Sequence, residues 1–248
     1  MTRLTPHWTL EPKLARLAHP RLAVAVELAR PELGLDAVSI DHRAFAANLL
    51  AVDIQSPNEG GATAIDAWTR GGDVVVTYEQ TAARPFRVQV YWRRETCEDG
   101  PPAVDLQVSV QTSLLDILAQ LTSSSRLPAG QLLRANAAGG FTSLDDMPAG
   151  DGEFSSADGP SLFVHRPAGE DWSYVEMTHA VDFHRELVVR AASEPAFTLR
   201  HWLFAASLEK GVILRARVRG LFVPRHEDLE LASREYERFT AAPLPLTT

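Results

Sequence analysis

Hydrophobic and polar residues alternate along much of the chain, and the alternation is clearest between residues 211 and 223. On a two-residue period the apolar residues fall on one side of this segment, and Arg215, Arg217 and Arg219 fall on the other. A half-buried strand has this pattern, whereas a helix would scatter the arginines around its axis. We therefore predict a long strand that carries a stripe of arginines.

Shorter segments with the same period, separated by turn residues, occur on both sides of residues 122–160. Their approximate limits are 38–43, 48–55, 62–69, 73–80, 86–94, 103–112, 161–166, 172–178, 182–190, 196–206 and 211–223. This spacing favours antiparallel strands over alternating βαβ units. Residues 9–36 fit both a helical and a strand period, so their structure is left open.

The best-defined hairpin pairs 86–94 with 103–112. If residues 98–101 form the turn, the apolar sets of both strands face one side and Arg93 lies opposite Asp105. The opposite face of this hairpin is then a polar surface of Arg, Gln, Tyr, Asp and Ser side chains.

Two regions depart from the strand pattern. Residues 122–160 are rich in Ser, Gly, Ala and Asp and follow a possible helical turn at 114–121. This stretch is long for a simple connection, so we interpret it as an excursion between sheets, with a lid over a site or partial disorder as alternatives. Residues 226–240 have apolar positions near helical spacing, which predicts an amphipathic helix on the sheet.

The two strand-rich halves, 38–112 and 161–223, would each bury an apolar face if they packed together. We therefore predict that residues 1–248 form a single all-β domain: a large, mainly antiparallel two-sheet sandwich with a C-terminal helix. In shape this architecture resembles the large β-sandwiches of sugar-ring epimerases and mutarotases. Such a resemblance of shape implies a fold and does not by itself imply an activity.

Composition mainly excludes classes of function. A formal net charge of -8 argues against a general nucleic-acid or anionic-membrane binder. A single cysteine, Cys97, excludes an intramolecular disulfide framework and a multi-cysteine zinc site, and we interpret it as incidental. Because the first residues lack the apolar core of a signal peptide, we expect a soluble cytoplasmic protein.

Common catalytic and cofactor motifs are absent from the sequence, including phosphate loops, nucleophile elbows and paired-histidine zinc helices. The stretch richest in titratable groups is 174–187. On a strand that begins near Val181, the side chains of Asp182, His184 and Glu186 would share one face at intervals of about 7 Å.

A histidine between carboxylates suits acid/base chemistry on a sugar or the binding of a divalent metal. The candidate catalytic residues are therefore His184, Asp182, Glu186 and His179, and the first three are also candidate metal ligands. The alternative is that this pattern is simply the solvated face of a half-buried strand.

The arginine stripe suggests a ligand with a carboxylate or phosphate, because a guanidinium group binds either through paired hydrogen bonds. The candidate substrate-binding residues are Arg217, Arg215, Glu176 and Trp172, the last as a platform for a sugar. Pairing of the arginines with carboxylates on neighbouring strands, and a core position for the tryptophan, are the alternatives.

These residues suggest a carbohydrate-related enzyme with epimerase- or lyase-like acid/base chemistry, or a binder of a sugar acid. The alternative is a non-catalytic β-sandwich that binds a ligand or another protein. Side chains from several strands that meet in one pocket would favour the first interpretation, and side chains dispersed over a convex surface would favour the second.

Overall fold

The structure is a computed structural model that describes residues 7–54, 62–95, 100–190 and 196–242. In these ranges the chain forms nineteen strands and one α-helix. The strands are β1 (Trp8–Leu10), β2 (Leu14–Leu17), β3 (Ala23–Glu27), β4 (Asp36–Ile40), β5 (Arg43–Ala44), β6 (Asn48–Asp53), β7 (Ala64–Arg70), β8 (Asp73–Tyr78), β9 (Arg87–Arg94), β10 (Ala103–Gln111), β11 (Asp116–Leu127), β12 (Gly130–Ala135), β13 (Phe141–Ser143), β14 (Gly150–Phe154), β15 (Leu162–Pro167), β16 (Trp172–Thr178), β17 (Arg185–Arg190), β18 (Phe197–Glu209) and β19 (Ile213–Pro224). Helix α1 (Asp228–Ala241) follows the last strand.

The strands form three sheets, which we call the large, the small and the N-terminal sheet. The large sheet has nine strands in the order β13-β12-β15-β16-β19-β10-β9-β8-β7, and the small sheet has five in the order β14-β17-β18-β11-β6. The N-terminal sheet is a meander of β1 to β5. All of these strand pairs are antiparallel, so the predicted antiparallel β-sandwich with a C-terminal helix is confirmed.

Strand β19 lies near the middle of the large sheet, between β16 and β10. Its register places Arg219 opposite Asp105, Arg217 opposite Gln107 and Arg215 opposite Ser109. The alternate residues, including Val218, belong to the core shared with the small sheet. The stripe of arginines thus lies on the outer face of the large sheet, as a two-residue period requires.

The outer face of the large sheet is covered at one end by α1. Ala232 and Phe239 of the helix are buried against Val175 and Met177 of β16 and Leu221 of β19, in a second apolar cluster. Beyond the helix, the outward side chains of β19, β10, β9, β8 and β7 form a surface that we call the polar face. This division leaves an open polar surface beside a helix-covered one.

The predicted hairpin of β9 and β10 is confirmed, including the register that sets Arg93 opposite Asp105. Although Arg93 and Asp105 lie opposite each other, each forms its ion pair with a different residue. Arg93 binds Asp73 at 2.8 Å, and Asp105 binds Arg219 at 2.6 Å. Cys97 and part of the predicted turn lie outside the described residues.

The prediction of an irregular excursion over residues 122–160 is wrong, and so is that of a helical turn at 114–121. The chain there forms strands β11 to β14, and β11 pairs with both β18 and β6. Ser123 and Ser125 occupy inward positions of β11, where each is only 1% exposed. The strand period was hidden because these buried positions carry polar residues.

Candidate functional site

The structure does not bring the predicted catalytic residues together. Strand β17 begins at Arg185, so Asp182, which lies in a turn, and His184 both precede the strand and do not share a strand face with Glu186. The amide of Asp182 donates to the carbonyl of His179 at 2.8 Å, which closes that turn. His184 is exposed, whereas Asp182 and Glu186 are buried in different places.

Asp182 and His179 lie beside the outer face of the large sheet and have partners within the protein. The Asp182 carboxylate accepts hydrogen bonds at 3.1 Å from both the backbone amide and Nε of Arg217. His179 Nε2 lies 3.1 Å from the carbonyl of Thr240, and its ring meets that of Phe239 edge-on at 5.4 Å. Arg217, predicted to bind substrate, is thus the partner of a buried carboxylate.

Trp172, predicted as a sugar platform, lies in the core. Only 8% of its surface is exposed, and its ring packs edge-on against Phe45 at 4.9 Å and Phe222 at 5.4 Å. The alternative core position is therefore the correct one for this tryptophan.

Glu176 of the large sheet and Glu186 of the small sheet both contact His201 between these two sheets. Nε2 of His201 lies 2.7 Å from Glu176 Oε1, and Nδ1 lies 3.1 Å from Glu186 Oε1. Each of the three residues is only 1% exposed. Burial alone would lower the pKa of His201, but its hydrogen bonds and charge interactions with the two carboxylates raise it to about 10. The histidine is therefore cationic at neutral pH.

Neighbouring side chains complete this internal charge cluster, which we define as Glu176, His201, Glu186 and Arg134. Ser125 and Tyr174 donate hydrogen bonds to Glu176 Oε2, and an Arg134 nitrogen lies 3.8 Å from Glu186 Oε2. Two carboxylates thus face two cations in a closed interior, and the cluster holds the two sheets together.

The internal charge cluster offers no opening for a metal ion, because both ring nitrogens of His201 are engaged by carboxylates. Across the described ranges, no group of three or more His, Cys, Asp or Glu side chains is placed to hold a metal. The predicted metal ligands Asp182, His184 and Glu186 do not form such a group.

A cavity of about 330 Å³ opens on the polar face, and we call it the arginine cavity. Its lining comes from five strands of the large sheet, β7, β8, β9, β10 and β19. The lining residues are Asp66, Trp68, Thr77, Arg87, Gln89, Tyr91, Ser109, Val110, Gln111, Ile213 and Arg215. Of the residues predicted to bind substrate, only Arg215 lines it.

Side-chain hydrogen bonds join strands β8 and β9 across the floor of the arginine cavity. The Tyr91 hydroxyl donates to Gln89 Oε1 at 2.5 Å, and Gln89 Nε2 donates to Thr77 Oγ1 at 3.1 Å. Burial raises the pKa of the Tyr91 phenol, although the nearby charge of Arg215 opposes this change. The phenol therefore keeps its proton at neutral pH.

Several buried polar atoms at the arginine cavity lack a hydrogen-bond partner among the described residues. These atoms are Nε of Arg87, Nε of Arg215 and Oγ of Ser109, and Nε2 of Gln107 on the same face is a fourth. Buried polar groups are normally satisfied, and leaving one unpaired costs about 1–3 kcal/mol. Five further atoms of this kind lie elsewhere among the described residues, on Ser123, Arg134, His165, Trp172 and Glu186. Three of the four on the polar face belong to residues that line one cavity, which makes that cavity a candidate site for a polar ligand.

The arginines on the outer face of the large sheet differ in their partners. Arg93, Arg217 and Arg219 each bind an aspartate within 3.1 Å. Arg87 and Arg215, which line the cavity, take part in no ion pair with another described residue. With Asp66 as the only carboxylate in the described lining, the cavity carries two positive charges against one negative.

Comparison with solved structures places this architecture among known sandwiches. A candidate aldose 1-epimerase from Klebsiella pneumoniae superposes with a TM-score of 0.61, covering 97% of this chain and 90% of the other at 7% identity. The fold is that of the mutarotase-like sandwiches. In sequence, the chain matches no protein-family model and no curated protein.

Two further structures share the mutarotase-like fold. A candidate aldose 1-epimerase from Escherichia coli K12 gives a TM-score of 0.58 at 10% identity, over 84% of this chain and 98% of the other. A candidate mutarotase from Salmonella typhimurium gives 0.56 at 8% identity, over 91% and 96%. Among the described residues, no helix is long and apolar enough to span a membrane.

Most residues that line the arginine cavity were not among the predicted site residues, although some belong to the polar hairpin face that the sequence predicts. Arg87, Gln89, Tyr91 and Ser109 belong to the polar side of the β9–β10 hairpin. The signal that could have found them is composition, because Gln, Tyr, Ser and Arg on a central strand pair offer specific hydrogen bonds.

Proposed function

We propose that this protein binds a small anionic carbohydrate, such as a sugar acid, in the arginine cavity. The observation that carries the proposal is that Arg87 and Arg215, which form no ion pair with another described residue, both line one cavity. A guanidinium group binds a carboxylate or phosphate through two parallel hydrogen bonds. The mutarotase-like fold supports a carbohydrate as the rest of the ligand.

The other lining residues suit the hydroxyl groups and the ring of a sugar. Gln89, Gln111 and Ser109 supply neutral donors and acceptors, and half-buried Trp68 supplies an apolar surface for a ring face. The volume of about 330 Å³ lies at the small end of the range for ligand pockets. A monosaccharide-sized ligand is therefore favoured for this cavity.

Epimerisation at the same cavity is the second candidate function, favoured by the presence of Asp66 and Tyr91 in its lining. A carboxylate can accept the anomeric hydroxyl proton while a protonated phenol donates a proton to the ring oxygen, which opens the ring. Polarimetry of freshly dissolved glucuronate tests this second function. A catalysed approach to the anomeric equilibrium that Asp66→Asn abolishes would support it, and an unchanged spontaneous rate would contradict it.

Calorimetric titration tests the binding function with three ligands: glucuronate, glucose 6-phosphate and glucose. We expect at least one anionic sugar to bind about tenfold or more tightly than glucose, a difference of about 1.4 kcal/mol. The two anionic sugars distinguish a carboxylate ligand from a phosphate ligand.

The decisive variant is Arg215→Gln, with Arg200→Gln as a control that removes an exposed arginine of the small sheet. Both variants lose one positive charge, but only the first changes the cavity. We expect about a tenfold loss of anionic-sugar affinity in Arg215→Gln alone. Equal affinities in the two variants, or no binding of either anionic sugar to the wild type, would contradict the proposal.

A further inference from the structure

A second cavity of about 620 Å³ adjoins the arginine cavity. Arg87 and Gln111 line both cavities, so these two residues lie at their boundary. We call the second cavity the loop cavity, because most of its lining lies in the β8–β9 and β10–β11 connections. Its lining residues are Glu79, Gln80, Thr81, Ala82, Pro85, Arg87, Gln111, Thr112, Ser113 and Leu114.

Hydrogen bonds join the two connections that form the loop cavity. Gln80 Oε1 accepts from the backbone amide of Ser113 at 3.1 Å and from its hydroxyl at 3.2 Å. The hydroxyl of Thr112 donates to the carbonyl of Pro85 at 2.7 Å. The walls of the cavity are therefore formed before any ligand arrives, which reduces the entropy cost of binding.

The buried side chain of Arg84, which is only 4% exposed, also holds the β8–β9 connection in place. Its guanidinium donates to the carbonyl of Glu79 and, at 3.3 Å, to that of Phe86. These bonds span the connection from end to end. A segment held in this way can present its side chains to a ligand in a fixed arrangement.

The chemistry of the loop cavity differs from that of the arginine cavity. Its charged lining residues are Glu79 and the shared Arg87, so the two charges balance. Its remaining side chains are amides, hydroxyls and a few apolar groups. A neutral polyhydroxylated ligand suits this lining, whereas a second acidic group would meet the carboxylate of Glu79.

We propose that the natural ligand is an acidic disaccharide whose acidic unit lies in the arginine cavity and whose neutral sugar unit extends past Arg87 into the loop cavity. The inference rests on the proposed binding function for the placement of the acidic unit. Arg87 lines both cavities, so its guanidinium group is placed to bind the acidic unit or the linkage oxygen. The loop cavity is then a second sugar subsite.

Titration with glucuronate and with two disaccharides of glucuronate and galactose, one in each order of linkage, tests this inference. We expect at least one disaccharide to bind the wild type about tenfold more tightly than glucuronate. Ala82→Phe should remove that gain without changing glucuronate affinity, because exposed Ala82 lines only the loop cavity. Ala83→Phe is the matched control, since exposed Ala83 lines neither cavity and should keep the gain.

The outcomes separate the two proposals. If glucuronate binds but neither disaccharide binds more tightly, or if the gain survives Ala82→Phe, the second subsite is wrong and the binding function stands. If no acidic sugar binds the wild type, the binding function itself fails and the subsite fails with it.

Discussion

At the scale of single residues, the surroundings of His201 determine its charge. A buried histidine normally loses its proton, but the carboxylates of Glu176 and Glu186 lie on both sides of this ring. Without the histidine, two carboxylates would remain in a closed interior with Arg134 as the cation beside them. Breaking a buried charge pair by removing one partner usually costs about 3–5 kcal/mol.

The pKa of His201 predicts a specific dependence of stability on pH. Because the pKa is about 10 in the folded protein and 6.5 for a histidine in an unfolded chain, its contribution is complete below pH 6.5 and is lost as pH rises through 10. The contribution amounts to at most about 5 kcal/mol. Urea unfolding of the wild type and His201→Gln at pH 6.5, 8 and 10 should therefore give free energies that converge as pH rises.

His184→Gln is the control for this experiment, because His184 is exposed. We expect its unfolding free energy to stay within about 0.5 kcal/mol of the wild type across the same pH range. Parallel pH profiles for the wild type and His201→Gln would contradict the account of a cationic buried histidine.

The sequence identified charged residues of interest but could not assign their partners. Glu176 and Glu186 were among the candidate site residues, whereas His201, which lies between them, was not. Its partners lie on two other strands, and the pattern within a strand does not show which residues face it across a sandwich. The same limit explains why Arg215 and Arg217, two positions apart, were expected to act alike although only Arg217 meets a carboxylate.

At the scale of elements, prediction succeeded where inward positions are apolar and failed where they are polar. The β9–β10 hairpin and β19 alternate clearly and were predicted with nearly correct limits. Strand β11 places Ser123 and Ser125 inward, next to the internal charge cluster, so its period was not visible. The predicted strand starts at residue 182, whereas β17 starts at Arg185. Asp182 has the two-residue spacing of a strand residue, but it lies in a turn.

Helix α1 was predicted from the helical spacing of its apolar residues, but contacts with the large sheet determine its position. Asp228 at its start accepts hydrogen bonds from Arg166 at 2.8 Å and Ser173 at 2.6 Å. Near its end the ring of Phe239 is 3% exposed and lies 4.7 Å from the guanidinium of Arg219. Both ends of the helix are thus held against the large sheet.

Phe239→Ala should therefore destabilise the protein by about 3 kcal/mol, because it removes a large buried ring and leaves a cavity. Glu237→Ala, at an exposed position of the same helix, should change stability by no more than about 0.5 kcal/mol. Thermal and urea unfolding of both variants measure this difference. Equal stabilities would show that the helix does not pack on the sheet as described.

At the scale of the whole molecule, the two faces of the large sheet carry different chemistry. The inner face combines an apolar core with the internal charge cluster. The outer face is divided between the surface under α1 and the polar face with its arginine cavity. Charged residues from both faces were predicted to share one site, because only the packing of the sheets shows which side chains are enclosed.

A crystal structure of the protein with bound glucuronate tests the central claim most directly. We predict that the carboxylate lies within hydrogen-bond distance of Arg87 or Arg215 and that the sugar ring lies in the arginine cavity beside Trp68. Electron density for glucuronate at another site, or an empty arginine cavity at a concentration that saturates binding in solution, would contradict the claim.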